Sequence, residues 1–343
     1  LGRKEDPWAS GFKGWDRRDG GIEMQKRFST LLLLALPASG KSEIRKFMHT
    51  LGDKECLERF HVGSVVEVDD YPYVNLMRQV DRWLWNKGKQ SLFFQSNTKP
   101  FIDPFLWGAL IELINEDYDQ IKGCKQVRVS SPSEHLFYRI DKACRKVHTS
   151  PKFGQLEPDV ARELAKAMEN LSRDIVDENN RMASTYSADK TIVIEFARGG
   201  ADGSRMPLKE PFGYAYSLGK LSDEIKRTAS IFYVFVTPEE SRRKNRERHD
   251  PNDPDGILGH SVPEEVMLKD YGCDDIEDLM ESSPKKGFVD VGGGLIPIVR
   301  FDNRVDKTSF VRKDRWDAHE IETLKTALEK AFDELWQRWL ERG

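Results

Sequence analysis

The largely apolar run from Phe28 to Leu36 breaks at once into Pro37-Ala38-Ser39-Gly40-Lys41-Ser42, and Ile44, Phe47 and Met48 follow at helical spacing. A short apolar run bounded by turn residues is a buried strand, and the spacing after it is an amphipathic helix. Strand, tight loop and helix in that order open an α/β fold with a mainly parallel sheet flanked by helices. Ala35 to Ser42 fits the Walker A pattern GxxxxGK[ST], with Ala35 in place of the first glycine. In such a P-loop, successive backbone N–H groups turn inward and the helix end adds positive potential. Pro37, Ala38, Ser39, Gly40, Lys41 and Ser42 are therefore expected to cradle the phosphates of ATP. Lys41 is expected to bridge the β- and γ-phosphates, and the Ser42 hydroxyl to ligate Mg2+.

The chain has 343 residues, 38% hydrophobic and 33% charged, with a net charge of -4. That is enough apolar material for a real core, which excludes wholesale disorder. The near balance of charge argues against a bulk polyanion binder, which would carry a basic excess on one face. Cys56, Cys124, Cys144 and Cys273 are too scattered for a zinc knuckle or a CxxC redox pair, and read as reduced thiols. Phe28 to Leu36 mimics a signal-peptide core, but the polar lead before it is too long for one. The run is also too short to cross a bilayer. A cytoplasmic protein is the expectation.

Further strands are expected at Ser64–Val68, Lys190–Ala197 and Ile231–Val236, with a hairpin formed by Phe288–Val291 and Leu295–Phe301 around Gly292, Gly293 and Gly294. Between about 75 and 185 the pattern is helical, marked by Leu106, Leu110, Leu113, Ile114 and Ile121, then by Val160, Leu164, Met168, Leu171 and Ile175 behind Pro158. That region reads as a large helical insertion in a domain spanning 28–343. Ser222 is the expected N-cap of a helix to Thr228. Ile321, Leu324, Leu328, Phe332, Leu335 and Trp339 form the stripe of a long closing helix. Residues 1–27 read as an irregular arm, whose Trp8 and Trp15 suit contact with a protein partner.

Several charged residues fall at strand ends, where α/β sheets bind ligands. Asp69 and Asp70 close the second strand; one could be a general base for an acceptor hydroxyl, or an N-cap for the segment near Pro72. Glu195, late in an apolar strand, needs either a magnesium-bound water or a cation such as Arg198. Arg198 opens a glycine-rich loop placed to contact an acceptor. Arg242 and Arg246, four apart on a charged helix from Pro238, share a face. They are expected to act from a lid of about 238–262 as the γ-phosphoryl leaves, the alternative being a solvated helix face.

Together these parts resemble the P-loop kinase group that includes nucleoside and nucleotide kinases and the phage-type polynucleotide 5′-kinases. The Leu36-to-Ser42 loop is similar to their CPGSGKS-type loops, and Val68-Asp69-Asp70-Tyr71 to a strand end whose first Asp is the base. Arg242 to Arg248, followed by Val262-Pro263-Glu264-Glu265-Val266-Met267, resembles a lid helix and the helix after it. Phe301-Asp302-Asn303-Arg304 falls where such kinases place their adenine loop, which implies that Asn303 and Arg304 contact the base. Pro72 stands where the polynucleotide kinases carry an arginine for the acceptor phosphate, which counts against a nucleic-acid acceptor. The resemblance covers about half the chain. It implies transfer of the γ-phosphoryl of ATP to a small hydroxyl acceptor, a nucleoside, nucleotide or sugar. An ATP-driven switch that binds a protein and a polynucleotide end kinase are the alternatives.

Overall fold

The computed structural model describes residues 27–247, 261–292 and 294–342. Trp8, Trp15, Arg248, the turn-rich stretch to His260 and Gly293 lie outside the described residues. In chain order the elements are β1 (Thr30–Leu34), α1 (Lys41–Leu51), α2 (Asp53–Phe60), β2 (Val65–Asp69) and α3 (Tyr71–Asn86). Then come α4 (Leu106–Lys122), α5 (Pro132–Lys146), α6 (Pro158–Thr185), β3 (Thr191–Phe196), α7 (Gly213–Gly219) and α8 (Asp223–Thr228). The chain continues through β4 (Ala229–Phe235), α9 (Pro238–Glu247), α10 (Glu264–Lys269), α11 (Ile276–Ser282), β5 (Phe288–Asp290), β6 (Leu295–Asp302) and α12 (Ala318–Leu340).

The six strands lie in the order β2-β3-β1-β4-β6-β5. Every neighbouring pair is parallel except β5 and β6, the expected hairpin. β1 reads Thr-Leu-Leu-Leu-Leu and is buried along its whole length, as a strand covered on both faces requires. From β1 the chain crosses past the position of β3 to the edge strand β2, and from β3 it returns across β1 to β4. The two crossovers leave in opposite directions, which opens a crevice at the carboxyl ends of these strands.

Alternate side chains of the sheet feed two cores. On one face Leu31, Leu33, Val193 and Phe232 meet Ile44 and Phe47 of α1, Phe60 of α2 and the α12 stripe of Leu324, Leu328 and Phe332. On the other, Leu32, Leu34, Ile192 and Ile231 meet Ile111, Ile114 and Tyr118 of α4. The opposite side of α4, with Leu106, Leu110 and Leu113, packs into a third core shared by α3, α5 and α6. Burial on two opposite faces explains why α4 is apolar beyond a single stripe. Each such Leu or Ile contributes about 1.5–3 kcal/mol, so α4 fastens the helical segment to the sheet.

Local signals explain several ends. The Ser222 hydroxyl accepts from the Ile225 N–H at the start of α8, and Asp317 caps α12 through the His319 N–H. β1 stops two residues short of Leu36, whose carbonyl accepts instead from the Ser39 hydroxyl at 2.7 Å. The helical segment begins at Tyr71, earlier than the periodicity suggests, and its residues 87–105 form a loop closed by a bridge between Phe94 and Phe101. The four cysteines are unpaired. Among the described residues no helix is long and apolar enough to cross a membrane.

Candidate functional site

The loop between β1 and α1 is held open by its own backbone. Ala38 sits at φ 57° and Gly40 at φ 108°. At Gly40 a side chain would be strained, and a Cβ would lie 2.5 Å from the Thr308 hydroxyl and 2.8 Å from the Asn303 amide nitrogen. Ala35, where the usual motif has glycine, is fully buried with no positive φ, so its methyl group is accommodated. Its carbonyl accepts from Lys41 Nζ at 3.2 Å and from the Tyr214 hydroxyl at 3.0 Å. Two further ties brace the loop from outside: Ser241 of α9 donates to the Pro37 carbonyl at 2.7 Å, and Asn303 Nδ2 donates to the Ser39 carbonyl at 2.8 Å.

Strand register sets the carboxylates beside it. Glu195 of β3 lies opposite Leu33 of β1 on one side and Asp69 of β2 on the other. Two acids side by side in parallel strands repel, and burial adds to the effect. Burial first, then the charges of Glu195 and Asp70, push Asp69 up to about 8, although the Tyr71 N–H donates to it at 2.8 Å. Glu195 meets the cations of α1: Arg45 Nη1 at 2.7 Å and Lys41 Nζ at 3.9 Å. Arg45 also clasps Glu67 through Nε at 3.0 Å and through Nη2.

Arg198 is not the partner of Glu195 that sequence adjacency offered. It lies 2% exposed between the faces of Trp107 and Phe196 and donates to Asp70 at 2.7 Å. The reason is the strand end: residue 198 has left β3 and turned under the sheet toward α4, where Asp70 waits at the head of α3. Asp70 occupies the N-cap position of α3 without a side-chain capping bond; its carboxylate faces Arg198 instead.

A cavity of about 590 Å³ joins these groups. Ser39, Lys41, Ser42 and Arg45 line one end, with Asp69, Asp70 and Glu195 between. The other end lies under the helical segment, against Tyr73, Arg78, Phe94, Trp107, Asp270 and Tyr271. Its walls are fixed from behind. Asp81 accepts the backbone N–H groups of Leu92, Phe93 and Phe94, which sets Phe94 against Phe101 at 4.6 Å. Tyr73 donates to Asp117 at 2.6 Å, and Asp117 also accepts from Arg139 at 2.7 Å and Asn179 at 2.8 Å.

The remaining expected residues lie around this cavity. Ser42 lines it on the first turn of α1. Arg242 and Arg246 share a face of α9, but Arg242 pairs with Asp202 at 3.4 Å and Arg246 with Glu264 at 3.3 Å. Neither lines the cavity in this structure, whereas Asn245 between them does. Asn303 is fully buried against the loop it braces, and Arg304 is exposed and forks onto Asp302. Arg45 and Glu67 carry no motif and become visible only through the register of β2 with β3.

The Ser42 hydroxyl and the nearby carboxylates of Asp69 and Glu195 offer hard oxygen ligands of the kind Mg2+ prefers, with coordination completed by water and phosphate oxygens. Among the described residues no group of three or more His, Cys, Asp or Glu side chains could hold a metal alone. No protein-family model matches this chain, and no curated protein matches it significantly in sequence. It is an α/β protein with a mostly parallel six-strand sheet and a helical segment of α4–α6.

Proposed function

We propose that the chain is a P-loop kinase that binds ATP with Mg2+ and transfers the γ-phosphoryl to a small hydroxyl acceptor. The observation that carries this reading is continuity: the Lys41 loop, the Asp69 carboxylate and the space under the helical segment line one cavity of about 590 Å³. That volume suits a small molecule beside a polyphosphate. The backbone N–H groups of 38–42 and the end of α1 would hold the phosphates, with the Lys41 ammonium moving from the Ala35 carbonyl onto them. Ser42 and, through water, Glu195 would hold Mg2+, which supplies charge neutralisation on the phosphates.

Asp69 suits the base. Its raised affinity for protons makes its ionised form a stronger base toward a hydroxyl, and the positive charge of bound Mg2+ would favour that ionised form. As the acceptor oxygen bonds to the γ-phosphorus, its proton passes to Asp69. The bond from that phosphorus to the β–γ bridging oxygen breaks, and ADP leaves with the electron pair. Arg242 and Arg246 would reach the phosphates only after α9 swings from its pairings with Asp202 and Glu264. Calorimetry with ATP and Mg2+, together with γ-phosphoryl transfer by the protein and by Asp69→Asn, tests the reading. Absence of nucleotide binding would remove it, and full transfer by Asp69→Asn would remove the assigned base.

A further inference from the structure

Phosphate neutralisation accounts for the cations at the loop end of the cavity, but the acceptor end has an opposite excess that the reading above leaves unused. Subtracting paired charges isolates it. Asp70 is matched by Arg198 and Asp117 by Arg139. Asp69, Asp174 and Asp270 also line the cavity, and none of the three has an ion pair among the described residues. The facing cation is Arg78, which lies over the Phe94 ring at 4.4 Å and donates to the Asn97 carbonyl at 3.1 Å.

Asp270 is the unusual member. It is 5% exposed, and its carboxylate has no hydrogen-bond partner among the described residues. It stands at the carbonyl end of α10, where the helix disfavours a negative group. Burial pushes it up to about 7. Next to it Tyr271 meets Trp107 edge to face at 5.7 Å, an apolar corner that weakens screening. A buried carboxylate with no partner is destabilising unless a ligand supplies one.

Resting on the kinase reading, we propose that the acceptor is a hydroxyl-bearing amine, its ammonium held by Asp270 beside Tyr271 and Trp107 and its hydroxyl presented to Asp69. A phosphorylated acceptor would instead add negative charge beside Asp69, Asp174 and Asp270, where two of the carboxyls already hold their protons more tightly than usual because negative charge is costly in that corner. The compound is thus an amino alcohol or amino sugar in chemical class, and not a nucleotide or a nucleic-acid end.

The test separates a small-molecule extract of the cells that make the protein into cationic, neutral and anionic fractions by ion exchange. Each fraction is offered to the full chain with γ-labelled ATP. Transfer into the cationic fraction is expected, and with the purified acceptor Asp270→Asn should raise KM roughly tenfold or more while changing kcat far less. Transfer confined to the neutral or anionic fraction overturns the inference and leaves the kinase reading standing. An unchanged KM in a variant with normal thermal unfolding also overturns it. Transfer into none of the three removes the kinase reading and this inference together.

Discussion

The two ends of the cavity are built on different principles. The loop end is made from consecutive residues, 37–42, two of them at positive φ, and in the proposed reading it would act through main-chain amides. The acceptor end is made from side chains brought together across the chain, Tyr73, Trp107 and Asp270 among them, and each depends on packing elsewhere. A surface of amides recognises a charge pattern common to many ligands. A surface of side chains can be specific, but it is only as firm as the helices behind it.

The sharpest way to break the comparison is at the row between the two ends. Lys41→Ala and Asp69→Asn should each lower γ-phosphoryl transfer by roughly 10³-fold or more. Calorimetry should separate them, with MgATP affinity lost in the first and kept in the second. Next in size, Arg139→Met leaves Asp117 buried with its charge unmatched. Denaturant unfolding should register a loss of about 3–5 kcal/mol, while Lys41→Ala, which leaves no charge stranded in a core, should lose much less.

A third prediction concerns pH. Asp69 holds its proton more tightly in the fold than in the unfolded chain, so its favourable contribution is complete below about pH 4. That contribution fades as pH rises through about 8. The Asn variant does not titrate. Its melting temperature should therefore gain on that of the native chain as pH rises from 4 to 8 and level off above. A gain that shrank with rising pH would contradict the assignment. Smallest of all, Ser222→Ala on the far side of α4 should lose about 1 kcal/mol or less and leave transfer unaltered.

The same contrast explains what was legible in the sequence. β1, the loop and α1 are local, and their signals sit side by side within Phe28 to Met48. The hairpin, the α12 stripe and the Ser222 cap are local too, and all are present. Arg45 and Glu67 were hidden because their meeting with Glu195 follows from strand register. The partner of Arg198 lies 128 positions away at Asp70, which no adjacency rule supplies. Tyr73, Asp117, Arg139 and Asn179 are spread over 106 positions and look individually like ordinary helix residues. Helices α7, α10 and α11, six or seven residues each, are too short to show a period.

The bond from Asn303 to the Ser39 carbonyl spans 264 positions. A ribosome therefore emits the glycine-lysine corner well before the residue that braces it. A nascent chain stopped anywhere before β6 would display the whole P-loop motif while lacking the amide that steadies it. On the proposed kinase reading, competence for nucleotide should wait until β6 has joined the sheet beside β4.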